Sequence, residues 1–92
     1  MLKLVTTGTF RKDYKKIKKR GYDISLLETV LDKLLAEKKL DEKYYDHALV
    51  GNYIGFRECH ILSDWLLIYA VDKSNLILTA SRTGTHSDLF SK

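Results

Sequence analysis

The pattern of apolar positions divides the chain into a helical first half and an extended second half. Lys3 to Thr6 reads as a short strand, after which Phe10, Tyr14 and Ile17 recur at helical spacing, with Thr7 or Thr9 placed to cap the helix. Gly21 supplies a left-handed stop. A second stripe, Leu27, Val30, Leu31, Leu34 and Leu35, predicts another helix running to about Ala36, for which Ser25 and Glu28 have capping-box spacing. The short Gly21-Tyr22-Asp23 link makes the two a helical hairpin. The stretch 37–51 is mixed and polar and reads as a loop.

From Asn52 onward β-branched, aromatic and apolar runs are punctuated by Ser63-Asp64 and by Asp72 to Asn75, which predicts three strands in an antiparallel meander. The middle strand, Trp65 to Val71, is apolar on both faces, as expected of a central strand covered on one side by helices and partly occupied on the other. The last runs from Leu76 to Arg82, and Gly84 breaks it. The order β-α-α-β-β-β predicts one α+β domain over residues 1–92. It is a small, curved, mainly antiparallel sheet with the helical hairpin packed on one face.

Composition narrows the class. With 45% hydrophobic residues, 30% charged and no proline, the chain is an ordered domain rather than a linker. The single Cys59 cannot form an intrachain disulfide, and no CxxC pair suggests structural zinc. The N-terminus lacks the apolar core of a signal peptide and no run approaches a membrane span, so a cytoplasmic protein is expected. Net charge is +4, but eight of the sixteen Lys and Arg residues lie in the first twenty positions, where Asp13 is the only acid. Arg11, Lys12, Lys15, Lys16, Lys18 and Lys19 give the first helix a basic exterior suited to a polyanion or an acidic protein, though a solvated face is the plainer reading.

Candidate chemistry concentrates at one sheet edge. In a meander the end of one strand lies beside the start of the next, so His60 and Asp64 flank one turn, and the end of the last strand brings Arg82 and His86 to the same edge. This set suits metal-free cleavage of a phosphodiester by its own 2′-hydroxyl, which needs a base, a cation for the phosphorane oxygens and an acid for the leaving 5′-oxygen. Histidine serves near neutrality because its ordinary pKa is ~6.5, and Arg82 offers a planar fork. Trp65 and Phe90 are placed to stack on unpaired bases. Singly, each residue has a structural explanation: a turn for Asp64, core for Trp65. A zinc site from His47, His60, His86 and Asp64 lacks a ligand-spaced motif, so no metal and no cofactor is expected. Cys59 points to the face opposite His60 and reads as a buried thiol.

These residues fall in blocks that resemble the YafQ branch of the RelE superfamily of bacterial toxins. The blocks are Asp46-His47-Ala48-Leu49 with Gly51, Phe56 to His60, Asp64 to Tyr69, and Arg82 to Phe90. The resemblance implies a RelE-like fold and a toxin of a toxin-antitoxin pair, a ribosome-dependent endoribonuclease that cuts messenger RNA in the A site. It implies His47, His60, Asp64 and His86 as acid–base residues, Arg82 as phosphate stabiliser, and Trp65 and Phe90 as supports or base contacts. His86 is then assigned as the acid and His60, oriented by Asp64, as the base, with His47 assisting from its loop. Arg11, Lys12, Lys15, Lys16 and Lys19 are assigned to 16S ribosomal RNA phosphates. The partner implied is an acidic, DNA-binding, DinJ-like antitoxin, through which alone the toxin meets DNA. Family members often carry proline before the Asp-Trp pair, where this chain has Ser63. The alternatives are a ParE-like gyrase binder, which lacks this histidine set, and an inactive RNA- or protein-binding module, which needs only the basic helix.

Overall fold

In the computed structural model, which describes residues 1–90, Thr7 separates the first strand from the first helix. Strand β1 (Lys3–Thr6) hands over to helix α1 (Gly8–Lys19), and the Thr7 side chain accepts from the Phe10 N–H, one of the donors that a helix start leaves open. The helix stops where Gly21 takes φ +90° and the N–H groups of Gly21 and Tyr22 return to the carbonyls of Lys18 and Ile17. Helix α2 (Ile24–Leu35) is capped by Asp23, not by Ser25. The Asp23 carboxylate accepts from both the N–H and the hydroxyl of Ser25, so the helix starts earlier than the expected capping box would allow.

The segment expected to be a loop contains a two-residue strand, β2 (His47–Ala48), between single 3-10 turns at Glu42–Tyr44 and Gly51–Tyr53. A pairing of two residues leaves no periodicity to read. Strands β3 (Arg57–Leu62), β4 (Trp65–Asp72) and β5 (Ile77–Gly84) form the meander. The sheet order is β1-β5-β4-β3-β2, with β1 parallel to β5 and the other neighbours antiparallel. Gly84 does not break the last strand; it is its final residue, opposite Leu66. A short helix α3 (His86–Phe90) follows, unannounced by the sequence pattern.

Strand β4 is buried on both sides, as its composition predicts. On one face Phe10, Ile17, Leu27, Val30, Leu31 and Leu34 of the hairpin pack on Cys59, Trp65, Leu67, Tyr69, Leu78 and Ala80. On the other, Leu66 and Ile68 are covered by Leu89 of α3, with Leu49, Tyr53 and Phe56 around them. One irregularity decides which residues reach this second face. Tyr69 pairs with Ala80 but Ile68 pairs with Arg82, so Ser81 is an extra residue. Strict alternation would turn Leu78, Ala80 and Arg82 all towards the helices. The bulge turns Arg82 to the other face, because a one-residue slip reverses every side chain after it. The Thr7 hydroxyl steadies this point by donating to the Ser81 carbonyl at 2.8 Å.

Candidate active site

The face away from the hairpin carries the polar residues. Directly paired residues in an antiparallel sheet share a face, so His47, Glu58, Ile68 and Arg82 form one row across four strands, and His60, Leu66 and Gly84 form the next. Leu66 and Ile68 are the apolar floor. Acid–base groups stand on one side of it, Arg82 on the other, and α3 closes the end.

Glu58 is the centre of the acid–base side. It is only 4% exposed, and its Oε1 lies 3.5 Å from Nε2 of His47 and 3.9 Å from Nε2 of His60. The other ring nitrogens face carbonyl oxygens: Nδ1 of His47 is 2.8 Å from that of Tyr45, and Nδ1 of His60 is 3.3 Å from that of Ser63. Carbonyls only accept, so each Nδ1 carries a hydrogen and each Nε2 is left for proton transfer beside the carboxylate. Among the hydrogen bonds and ion pairs of the described residues none joins Asp64 to His60; Asp64 is exposed on the β3–β4 turn, and Ser63 and Glu58 orient the ring instead. Glu58 carries a signal that went unused: an acid two residues before a histidine in a strand shares its face.

His86 opens α3, its ring 6.1 Å from that of His60 and 5.7 Å from that of Phe90. Its position is set by the residues around it. The Thr85 hydroxyl accepts from the Asp88 N–H and the Asp88 carboxylate accepts from the Thr85 N–H, a reciprocal cap. Arg20, at the end of α1, grips the same carboxylate through Nη1 at 2.7 Å and Nη2 at 3.1 Å, and holds it well below the usual carboxylate pKa range. Gly84 permits this closeness, since a Cβ there would lie 3.0 Å from both Cβ and Oδ2 of Asp88. Gly84→Ala is therefore expected to displace α3, costing about 1–3 kcal/mol in urea unfolding and carrying His86 away from His60.

Arg82 is held from behind. Its Nε donates to Asp13 Oδ2 at 2.7 Å and its Nη2 to Oδ1 at 3.2 Å, while the Thr83 N–H also donates to Oδ2. The side chain keeps 24% exposure, and a guanidinium held by Asp13 along one edge can offer the rest of its fork to an anion. Asp13 is the lone acid of the basic helix, and its place between Phe10 and Ile17 on the apolar stripe was the readable sign of a buried partner. The basic residues divide over two surfaces. Arg11 and Lys15, with Lys18, line a groove of about 810 Å³ between β1, α1 and α2. Lys12, Lys16 and Lys19 are exposed at i, i+4 and i+7, on the flank that ends in Arg20.

Trp65 corrects an expectation. It is fully buried, its Nε1 donating to the Thr83 hydroxyl at 2.9 Å and its ring edge-on to Tyr22 at 5.2 Å, so no base can stack on it and it supports the sheet. Trp65→Phe should cost about 1–2 kcal/mol, read by urea unfolding, through loss of that N–H. Phe90 is 41% exposed and stands beside His86 and Tyr53, free on one side. Cys59 faces the hairpin, and burial pushes its thiol up to about 12, far from a nucleophile's range.

Residues 2–91 match the family described as a bacterial toxin of type II toxin-antitoxin system, YafQ. The chain belongs to this family. The mRNA interferase toxin YafQ of Escherichia coli K12 is 36% identical over 85 residues, which are 91% of this chain and 90% of the relative. Among solved structures, the E. coli DinJ-YafQ complex matches with TM-score 0.89 and 34% identity over 98% of this chain and 99% of the other. A metal-bound toxin from Helicobacter pylori matches with TM-score 0.92 and 43% identity over 98% and 100%. The YafQ-like α+β fold expected from the sequence is thus established. Among the described residues of this YafQ-family toxin no group of three or more His, Cys, Asp or Glu is placed to hold a metal ion. Among them, too, no helix is long and apolar enough to cross a membrane.

Proposed function

We propose that this chain is an endoribonuclease that cuts messenger RNA in the ribosomal A site and is held in check by a cognate antitoxin. The observation that carries the reading is the buried Glu58 between two imidazoles, with His86 and Arg82 across a shared apolar floor. Nε2 of His60 takes the 2′-proton, and the Glu58 carboxylate stabilises the imidazolium that forms. Arg82, backed by Asp13, meets the charge on the phosphorane oxygens. His86 protonates the leaving 5′-oxygen. His47, on the other side of Glu58, completes the acid–base set, and Asp64 stays on the exposed turn outside it.

Lys12, Lys16 and Lys19, with Arg11 and Lys15, hold ribosomal RNA phosphates through contacts that weaken with salt. The antitoxin is an acidic, DinJ-like protein with its own DNA-binding part, competing for the same charge in the cytoplasm. Primer extension on a translated messenger, after induction of the toxin alone and with its antitoxin, tests the function. Cuts that need translation and vanish with the antitoxin are expected. Intact messenger together with gyrase-linked DNA breaks would overturn it in favour of gyrase poisoning.

A further inference from the structure

Tyr45 is 64% exposed and is held at φ +45°, ψ +49°, a left-handed conformation that bulky residues rarely adopt. The chain on its far side is fixed. The following Asp46 is pinned on the hairpin side of the sheet, accepting from the Tyr69 hydroxyl at 2.6 Å and from Arg57 Nε at 3.3 Å. Tyr44, just before, packs against the core. The strained turn between them delivers the Tyr45 ring outward, 4.6 Å from the ring of His47 and 5.6 Å from that of His60. A bulky ring held in a strained turn and left mostly exposed beside two histidines points to function.

Beside this ring lies a groove of about 550 Å³ whose walls include Tyr44, Tyr45, His60, Leu62 and Lys43. It is aromatic and apolar on its sides, and Lys43 Nζ stands 5.2 Å from the Tyr44 ring centre at its margin. His60 belongs both to this groove and to the acid–base cluster, so whatever fills the groove is continuous with the reacting phosphate. From His60 the rings continue through His86 to Phe90, in steps of 6.1 and 5.7 Å. Exposed aromatic platforms therefore stand at both ends of the proton-transfer pair.

We propose that Tyr45 and the groove beside it bind the base of one RNA nucleotide next to the scissile phosphate, on the side opposite Phe90, while Lys43 meets a backbone phosphate. This rests on the ribonuclease reading above. A base offers a flat face to a tyrosine whatever its identity, and the adjoining phosphate supplies the charge that Lys43 complements. The subsite needs no movement of the catalytic groups, because the Tyr45 ring already touches both histidines of the acid–base side.

Single-turnover cleavage on programmed ribosomes, followed against toxin concentration, separates binding from chemistry. Tyr45→Ala is expected to raise the half-saturating concentration by about 5- to 150-fold, the range that loss of one stacked base gives, and to leave the limiting rate within about threefold. Tyr45→Phe, which keeps the ring, should regain saturation at low concentration. Tyr45→Gly should lose binding as alanine does without a fall in Tm, since glycine takes the left-handed turn freely. The inference is overturned if Tyr45→Ala saturates as the unaltered protein does. It is equally overturned if the whole loss lies in the limiting rate and Tyr45→Phe does not restore it, for the ring would then only buttress the histidines. Failure of the unaltered protein to cut messenger would instead remove the ribonuclease reading, and this subsite with it.

Discussion

Replacing His86 with alanine is expected to slow messenger cleavage by about 10²- to 10⁴-fold, the range that a positioned general acid supplies, and so to abolish growth arrest. At ~1.4 kcal/mol per tenfold this is about 3–5 kcal/mol of lost transition-state stabilisation. The fold should survive. His86 is exposed at the start of α3, and the helix is held by the Thr85–Asp88 cap, by Arg20 on Asp88 and by Leu89 on Leu66 and Ile68, none of which involves the imidazole. Unfolding free energy should therefore change by no more than about 0.5 kcal/mol, as for an ordinary surface substitution. A retained complex with the antitoxin would show that the surface is intact. Primer extension reads the first effect and urea unfolding the second. Cleavage at the unaltered rate would reject His86 as the acid.

The second large effect is one of stability. Asp13→Ala removes the acceptor of Arg82 Nε and Nη2 and of the Thr83 N–H at once, at a side chain that is 8% exposed. Breaking a buried pair costs about 3–5 kcal/mol because the surviving charge is left uncompensated. Here the Arg82 end keeps contact with water, so about 2–3 kcal/mol is the better expectation, with a fall in Tm of about 10–20 °C. Cleavage should fall as well, since Arg82 loses the grip that aims it. A double-mutant cycle with Arg82→Ala checks the attribution: coupling of at least about 1 kcal/mol is expected for groups in direct contact. Strict additivity of the two losses would mean that Asp13 acts on the strand alone and not through Arg82.

Elements whose apolar positions repeat were legible in the sequence. Phe10, Tyr14 and Ile17 marked α1, the leucines of 27–35 marked α2, and the doubly apolar run from Trp65 marked the central strand. Elements made by pairing over distance were not. β2 exists because His47 and Ala48 lie opposite Glu58 and Arg57, and β1 finds its parallel partner only when β5 arrives. Of the candidate site the histidines and Arg82 were legible as residue types; their carboxylate partners Glu58 and Asp13, and the geometry, were not. Arg82 reaches the open face through the extra residue Ser81, which no alternation pattern announces. Trp65 looked like a stacking residue because exposure cannot be read from residue type, and its N–H turned out to be spent inside, on Thr83. Asp64 was expected to steer His60 because the two flank one turn, whereas carboxylate support comes from Glu58, along the strand instead of around it.

The parallel pairing of β1 with β5 has a meaning in time. Lys3 lies beside Ile77, and α1 meets Arg82 only after almost the whole sheet has been laid between them. Contacts so far apart in the chain form late, because the intervening segment must be ordered before they repay its entropy. On a growing chain, β1 waits for its sheet partner, and Asp13 of the basic helix for Arg82, while the meander is still being synthesised. Arg82 and His86 are synthesised after His47, Glu58 and His60. Closure of the candidate site therefore waits on the last strand of the meander, for until β5 pairs with β4 and β1, Arg82 and Asp13 stand apart.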